Sequence, residues 1–482
     1  MSPSSSDAEG HAGPRTRVSA APAPPSTADR RLRGLVPVLT GVTALVCLLG
    51  WLQKQPCASA GFDFVRTTTR ACYTDIYPLY FVRGLNENKV PYFDSFDGDA
   101  FRYVEYPVLS GAFMQVVNWL VQPFAAASRG MAFYNTTALL LAGLAVVTVL
   151  ATAYAAGRRS LRTGLMVALS PALLLTAYIN WDLLAVALTA LAVAAWSARR
   201  PALAGVLLGL AVAAKFYPVL FLWPFVLLCV RAGRWRALGR LLLGAAASWL
   251  AVNLPVMLFA WDGWLTFYSF SRSRGVDWGS IFFFLQDHGL EGVSDRDHLN
   301  MIGTGVFALL ALAVGVLALA APRRPRLPQL MLLVLIAFML PNKVWSPQYV
   351  LWLLPLVALA RPRLPAYLLW QAGEVVYFFG IWWYLLSVSL RVEGADLSGT
   401  LSTLLSFDLP TEGIDTATYH VALLARFLTV LLLAVLVVRD ILRPSGDPVR
   451  AGGDDDPAGG VLDDAPDAFR LARPARTLQP AT

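Results

Sequence analysis

"PVLSGAFMQVVNWLVQPF", residues 107–124, is long and apolar enough to be taken for a membrane span, and whether it crosses decides the direction of every helix after it. It carries Gly111, Gln115, Asn118 and Gln122 at steps of four, three and four, so one polar stripe runs along one side of a helix. That pattern predicts a helix lying in the membrane interface rather than through the bilayer. The surrounding chain is equally apolar. Its 482 residues are 57% hydrophobic and 15% charged, with mean hydropathy +0.56. A soluble domain carries roughly 25% charged residues, so the expectation is an all-α polytopic membrane protein.

A hydrocarbon core takes ~20 apolar residues per helix, or somewhat fewer within a bundle. The candidate spans are 35–52, 131–154, 163–178, 183–198, 201–214, 217–230, 241–260, 301–321, 328–341, 349–360, 365–388 and 418–438. Stretches 163–197 and 201–230 are each too long for one span, and each has a polar break, "YINWD" at 178–182 and "AKFYP" at 214–218. Read as hairpins, they gather the arginines of 158–162, 199–200, 231–240, 323–326, 361–363 and 439–443 on one side. By the positive-inside rule that side is the cytoplasm, which also accounts for the net charge of +8 without nucleic acid. Acids gather on the other side, in Asp63–Glu105, Asp262–Asp297 and Glu393–Asp415. About twelve helices with both ends inside fit every loop, provided 107–124 does not cross. The first span follows Arg30, Arg31 and Arg33 and reads as a signal anchor. The expected organisation is a disordered tail 1–34, a membrane domain 35–440 and a disordered tail 441–482 rich in Pro, Gly and Asp. External loops fall at 53–130 and 261–300.

The first external loop holds "RACYTDIYPLYFVRGL" at 70–85, where Thr74 is placed to cap a short helix and Asp75 stands at its N-terminus. There the helix dipole favours an ionised carboxylate, as a general base requires. A helix cap is the plainer reading. Tyr73, Tyr77 and Tyr80 suit either a sugar platform or an interfacial aromatic belt, and the belt is preferred. Cys57 and Cys72 in this loop either pair, closing about 15 residues for roughly 3 kcal/mol, or stand as free thiols. Cys47 and Cys229 lie inside spans as apolar fillers. In "EYPVL" at 105–109, Glu105 either orients an acceptor or caps a helix. In "SRSRGVDWGSIFFF" at 271–284, Arg272 and Arg274 suit a phosphate or simple solvation. Lys215, Lys343 and Arg426 stand at membrane depth, where a charge faces a cavity or partner, or snorkels to the headgroups. "DGD" at 97–99 resembles the Asp-x-Asp that holds a metal but has no supporting cluster, and the four histidines are scattered. No divalent metal or cofactor is expected.

The strings "CYTDIYPLY", "EYPVL", "INWDLLAVAL", "AAKFYPVLFLWP", "VDWGSI" and "NKVWSPQYVLWLLPL", in this order over residues 35–440, resemble glycosyltransferase family 87. That family is the polyprenol-phosphate mannosyltransferase-like group of the C-type (GT-C) membrane enzymes. The resemblance implies a GT-C-like fold with a long first extracytoplasmic loop, and inverting transfer of a sugar from a polyprenyl-phosphate donor to a glycolipid or cell-envelope glycan outside the plasma membrane. It implies Asp75 as general base and Lys343, Ser346 and Gln348 near the donor phosphate, with Lys215 and Arg274 as further candidates. Glu105, Tyr106 and Trp278 are the acceptor candidates. Mannosyltransferases of the group carry histidines where this chain has Pro347 and Gln348, so an arabinofuranosyl donor stands beside mannose. The competing class is a transporter or flippase of lipid-linked sugars, which would show internal repeats that this chain lacks.

Overall fold

The computed structural model describes residues 27–97, 101–293, 295–392 and 412–471, and among them there is no strand. Helix α1 (Thr27–Ala58) leads into three short helices, α2 (Phe64–Thr69), α3 (Ile76–Val82) and α4 (Val108–Val121), before α5 (Arg129–Ala155). Short helices follow: α6 (Ser160–Ala168), α7 (Pro171–Thr176), α8 (Asp182–Ser197), α9 (Pro201–Ala214) and α10 (Leu222–Arg231). After α11 (Trp235–Phe259) come α12 (Trp261–Ser273) and α13 (Ile281–Asp287). The rest is α14 (Arg296–Ala320), α15 (Leu327–Met339), α16 (Val350–Ala360), α17 (Leu364–Val392) and α18 (Thr416–Leu442). Six helices among the described residues are long and apolar enough to cross a membrane, drawn from α1, α5, α11, α14, α17 and α18. The other expected spans are shorter apolar helices, and 163–178 is divided between α6 and α7 at Ser170.

The bundle is arranged for an apolar surround. Helices α15 and α16 are buried on nearly every side. By contrast α11 and α14 turn Leu243, Leu258, Phe259, Leu309 and Leu312 outward. Side chains of that kind in continuous rows suit lipid rather than water. Close approach of α9 to α11 depends on small residues: a Cβ on Gly205 would collide with the Leu241 carbonyl, and one on Gly209 with that of Ala245.

The short helices stop where the chain needs irregular backbone. Lys215 leaves α9 in an extended conformation (φ −150°, ψ 143°), and Pro218 follows two residues beyond Phe216. Irregular backbone at this depth is tolerated only where protein satisfies it. Here Ser110 Oγ donates to the freed Ala214 carbonyl at 2.6 Å, and Thr74 Oγ1 donates to Tyr178 O at 2.7 Å. Asp75 N–H donates to Ile179 O at 2.7 Å, and Arg426 donates to the carbonyls of Trp345 and Ser346 at 2.9 and 3.0 Å.

Helix α4 orients its polar stripe inward. Gly111, Gln115 and Asn118 are buried, whereas Val116, Trp119 and Leu120 are exposed. The stripe therefore does not face water. Gly111 sits under the Tyr92 hydroxyl, which accepts its N–H at 3.2 Å, and a Cβ there would collide with the phenol.

The expected disorder of 441–482 is corrected for the described part. Residues up to Leu442 belong to α18, and 444–471 lie across the arginine-rich end of the bundle. Asp447 takes Arg326 in two bonds of 2.8 and 3.0 Å, Asp454 takes Arg159 at 2.7 Å, Asp467 takes Arg231 and Arg324, and Asp464 takes Arg199. Composition suggests a solvated tail because it shows the acids but not their distant partners. Arg326 and Asp447 are both fully buried, so Asp447→Ala strands a buried guanidinium and is expected to cost about 3–5 kcal/mol. The exposed Arg199–Asp464 pair is worth about 0–1 kcal/mol, so Asp464→Ala is expected to leave the melting temperature nearly unchanged. Thermal unfolding of the two variants in detergent checks the contrast.

Candidate active site

The irregular breaks and the first loop converge on one cavity of about 530 Å³. Cys57 and Cys72 are joined in a disulfide with Cα atoms 6.2 Å apart, which ties the end of α1 to the strip 72–75. Thr74 and Asp75 are then bonded to the 178–179 backbone, as described above. Asp75 stands at the N-cap position of α3 but makes no cap bond; the Ile76 N–H goes to Thr74 Oγ1 at 3.2 Å. Its carboxylate instead receives the Tyr73 hydroxyl at 2.6 Å and, by a longer bond of 3.4 Å, the Asn180 amide. Desolvation in the cavity raises its pKa above the ordinary 3.8, and the two donors oppose that rise. Tyr73, raised first by the neighbouring Asp75 charge and then by burial, stays a proton donor.

The tyrosines are not a belt. Tyr73 stacks on Trp382 at 4.5 Å, Tyr77 packs against Phe62 and Phe81, and Tyr80 is buried. Glu105 lines the cavity but is held in a two-bond pair with Arg83 at 2.8 and 2.7 Å, which staples the end of α3 to the entry of α4. Tyr106, Trp278, Ser346 and Gln348 line the same cavity, with Gln348 Oε1 buried and without a hydrogen-bond partner.

A second cavity of about 370 Å³ adjoins the first, walled mainly by apolar groups such as Phe307 and Phe338. Lys215, Arg274, Phe267, Ser271 and Tyr349 line both, so two cations stand where the polar and apolar spaces meet. Lys215 is held by Asp182 at 3.1 Å, and the Arg274 guanidinium lies over the Phe270 ring at 5.4 Å. Lys343 lines only the apolar cavity. Its ammonium donates to the Arg272 and Arg274 carbonyls at 2.9 and 2.7 Å, lacing the end of α12 to loop 342–346, and burial lowers its pKa to about 8. Gly279 permits that lacing, since a Cβ would strike the Trp345 carbonyl. Arg426 does not snorkel: it pairs with Glu374 at 3.1 Å between the rings of Trp345 and Tyr377.

Two acids stand out to which the sequence alone assigns no role. Asp277 lines the polar cavity, its pKa raised by burial against the opposing charges of Arg274 and Arg426. Asp182 is fully buried and accepts from Lys215 and from Trp352 Nε1 at 2.5 Å. The available signal is an acid opening an apolar run in "NWDLLAVAL" and an acid three residues past Arg274 in "RGVDWG". Among the described residues no cluster of three or more His, Cys, Asp or Glu side chains could hold a metal, and Gly98 and Asp99 of the "DGD" triplet lie outside them.

Helices fit for a bilayer around a polar, acid-bearing cavity describe a multi-pass membrane protein. The glycosyltransferase family 87 model matches residues 103–347, just over half the chain. The protein belongs to glycosyltransferase family 87. No curated protein matches it. Among solved structures it is similar to the apo crystal structure of the Archaeoglobus fulgidus oligosaccharyltransferase, at 11% identity and TM-score 0.35 over 84% of this chain and 51% of that one. The chain thus spans about half the length of that protein, and at that similarity no residue is carried across.

Proposed function

We propose that the protein transfers a sugar, mannose or arabinofuranose, from a polyprenyl-phosphate donor to a glycolipid or cell-envelope glycan, with inversion at the anomeric carbon. The observation that carries this reading is the adjacency of two cavities: a polar one bearing Asp75 and an apolar one share Lys215 and Arg274 in their walls. A lipid phosphate fits such a junction, with its chain in the apolar cavity, its phosphate by the two cations and its sugar toward Asp75. The acceptor hydroxyl gives its proton to Asp75 as its oxygen attacks the anomeric carbon. The carbon–oxygen bond to phosphate breaks, and the polyprenyl phosphate leaves with the electron pair. The cations stabilise that developing charge. The donor brings its own leaving group, so the step calls for no cofactor. The family match begins after Asp75, so its assignment rests on its place in the cavity.

Lys215 and Arg274 support this reading better than Lys343, two of whose donors are taken by carbonyls. We place the arginine end in the cytoplasm of the plasma membrane, with both chain ends there, and the cavity on the outer face. The test is transfer of labelled sugar from synthetic polyprenyl-phosphate mannose and its arabinofuranosyl counterpart in membranes holding the protein. No transfer from either would sink the proposal. A base must be ionised to act. With its pKa raised by burial, Asp75 is expected to give an acid limb in kcat/KM above the ordinary carboxylate value of about 3.9, activity falling as pH drops through it. A pH–rate profile checks this, and a limb at or below about 3.9 would contradict it.

A further inference from the structure

The segment 180–182 touches both ends of the proposed reaction. Asn180 Oδ1 accepts the Asp182 backbone N–H at 3.1 Å, and that bond settles which way the amide faces: its Nδ2 is left pointing at Asp75 Oδ2. Two residues on, the Asp182 carboxylate is filled on one side by Trp352 Nε1 at 2.5 Å and on the other by Lys215 Nζ at 3.1 Å. Trp352 is itself fixed between Tyr217 and Tyr349, with ring centroids 4.1 and 3.7 Å away. Lys215, at the junction of the cavities, is therefore held from behind by a carboxylate that cannot swing.

We propose that Asn180 and Asp182 are positioning residues, the first presenting Asp75 to the acceptor and the second presenting Lys215 to the donor phosphate, from one turn of backbone at the start of α8. The inference rests on the reading of the cavity as a lipid-phosphate sugar site. Neither residue touches the reacting atoms. Each acts through its neighbour, and the shared backbone keeps the distance from base to cation constant.

The groups that face Asp75 are Tyr73 from its own strip, Asn180 just ahead of α8, Asp182 at its first residue, Lys215 from the end of α9, and Tyr106 ahead of α4; Asp277 lies beyond Tyr73. Removing the Asn180 donor withdraws support from the ionised carboxylate, whereas removing the Asp182 charge relieves repulsion and frees Lys215 to attract it. The two substitutions therefore push Asp75 in opposite directions. Loosened packing has no reason to do so.

The experiment is an infrared titration of the purified protein in detergent, with the Asp75 carboxyl band identified as the one absent from Asp75→Asn. The midpoint is expected to rise by about one pH unit in Asn180→Ala and to fall by a similar amount in Asp182→Asn. Shifts of the same sign, or none, overturn the proposal. Should Asp182→Asn not fold, Asn180→Ala decides alone, an upward shift supporting the proposal and an unmoved midpoint overturning it. The titration uses no donor, so its outcome is independent of sugar transfer. Transfer with unshifted midpoints overturns the network and leaves the donor chemistry standing. Opposite shifts in a protein that transfers neither sugar support the network and count against that chemistry.

Discussion

Asp75→Asn is expected to lose sugar transfer by about 10²–10⁴-fold, the usual contribution of a positioned general base, while folding as well as the wild type. The two halves of that result have one cause. The cavity raises the Asp75 pKa by desolvation, so the ionised carboxylate that the reaction needs is one the fold does not favour. A folded pKa raised above the unfolded value means stability that is full below the unfolded pKa and is lost as pH rises through the folded one. Above both values the aspartate is on the unfavourable side of that window, and asparagine removes the charge at constant shape. Its amide loses only the long bond to Asn180, so melting is expected to stay within about 1 kcal/mol of wild type. Asp63→Asn serves as the control, since Asp63 caps α2 through the Arg66 N–H at 3.0 Å and does not line the cavity. Full activity in Asp75→Asn would remove Asp75 as the base.

The second large effect is expected at the junction of the cavities. Arg274→Ala and Lys215→Ala should each lower kcat by about 10²–10³-fold, the scale of losing one group that stabilises developing negative charge. Their structural costs differ. Arg274 is half-buried over an aromatic ring, so its loss should barely move the melting temperature. Removing Lys215 leaves Asp182 fully buried with only Trp352 for a partner, a cost of about 3–5 kcal/mol. Lys215→Ala/Asp182→Asn should recover most of that stability and none of the turnover. Equal turnover in wild type and both single variants would move the phosphate elsewhere, with Lys343 the next candidate.

The positions of the helices are legible in the sequence because an apolar run of sufficient length has few alternatives. The breaks "YINWD" and "AKFYP" are legible too, because polar groups interrupt the runs just where helices end. What those breaks contact is another matter. Nothing near Ser110 or Thr74 in the chain announces that their hydroxyls satisfy carbonyls at 214 and 178. Lys343 and Lys215 look alike as intramembrane lysines, yet one binds carbonyls and the other a carboxylate, a difference that depends on partners 33 to 71 residues away. Asp277 and Asp182 read as ordinary loop and helix-start acids until the fold encloses them. The polar stripe of α4 shows that a helix has two faces but not which one meets protein, and here the burial of Gly111 under Tyr92 decides it. The acids of 444–471 are the clearest case, since the partner of Asp454 lies 295 residues earlier.

That last separation has a meaning in time. A chain is made from its N-terminus, so Arg159, Arg199 and Arg231 leave the ribosome long before the aspartates that will bind them. On the topology proposed above, those charges set the direction of the helices before their acidic partners are made. Only when the last helix is in place does the acidic strip arrive and bind them together. On that topology the same residues serve first as signposts and then as fastenings.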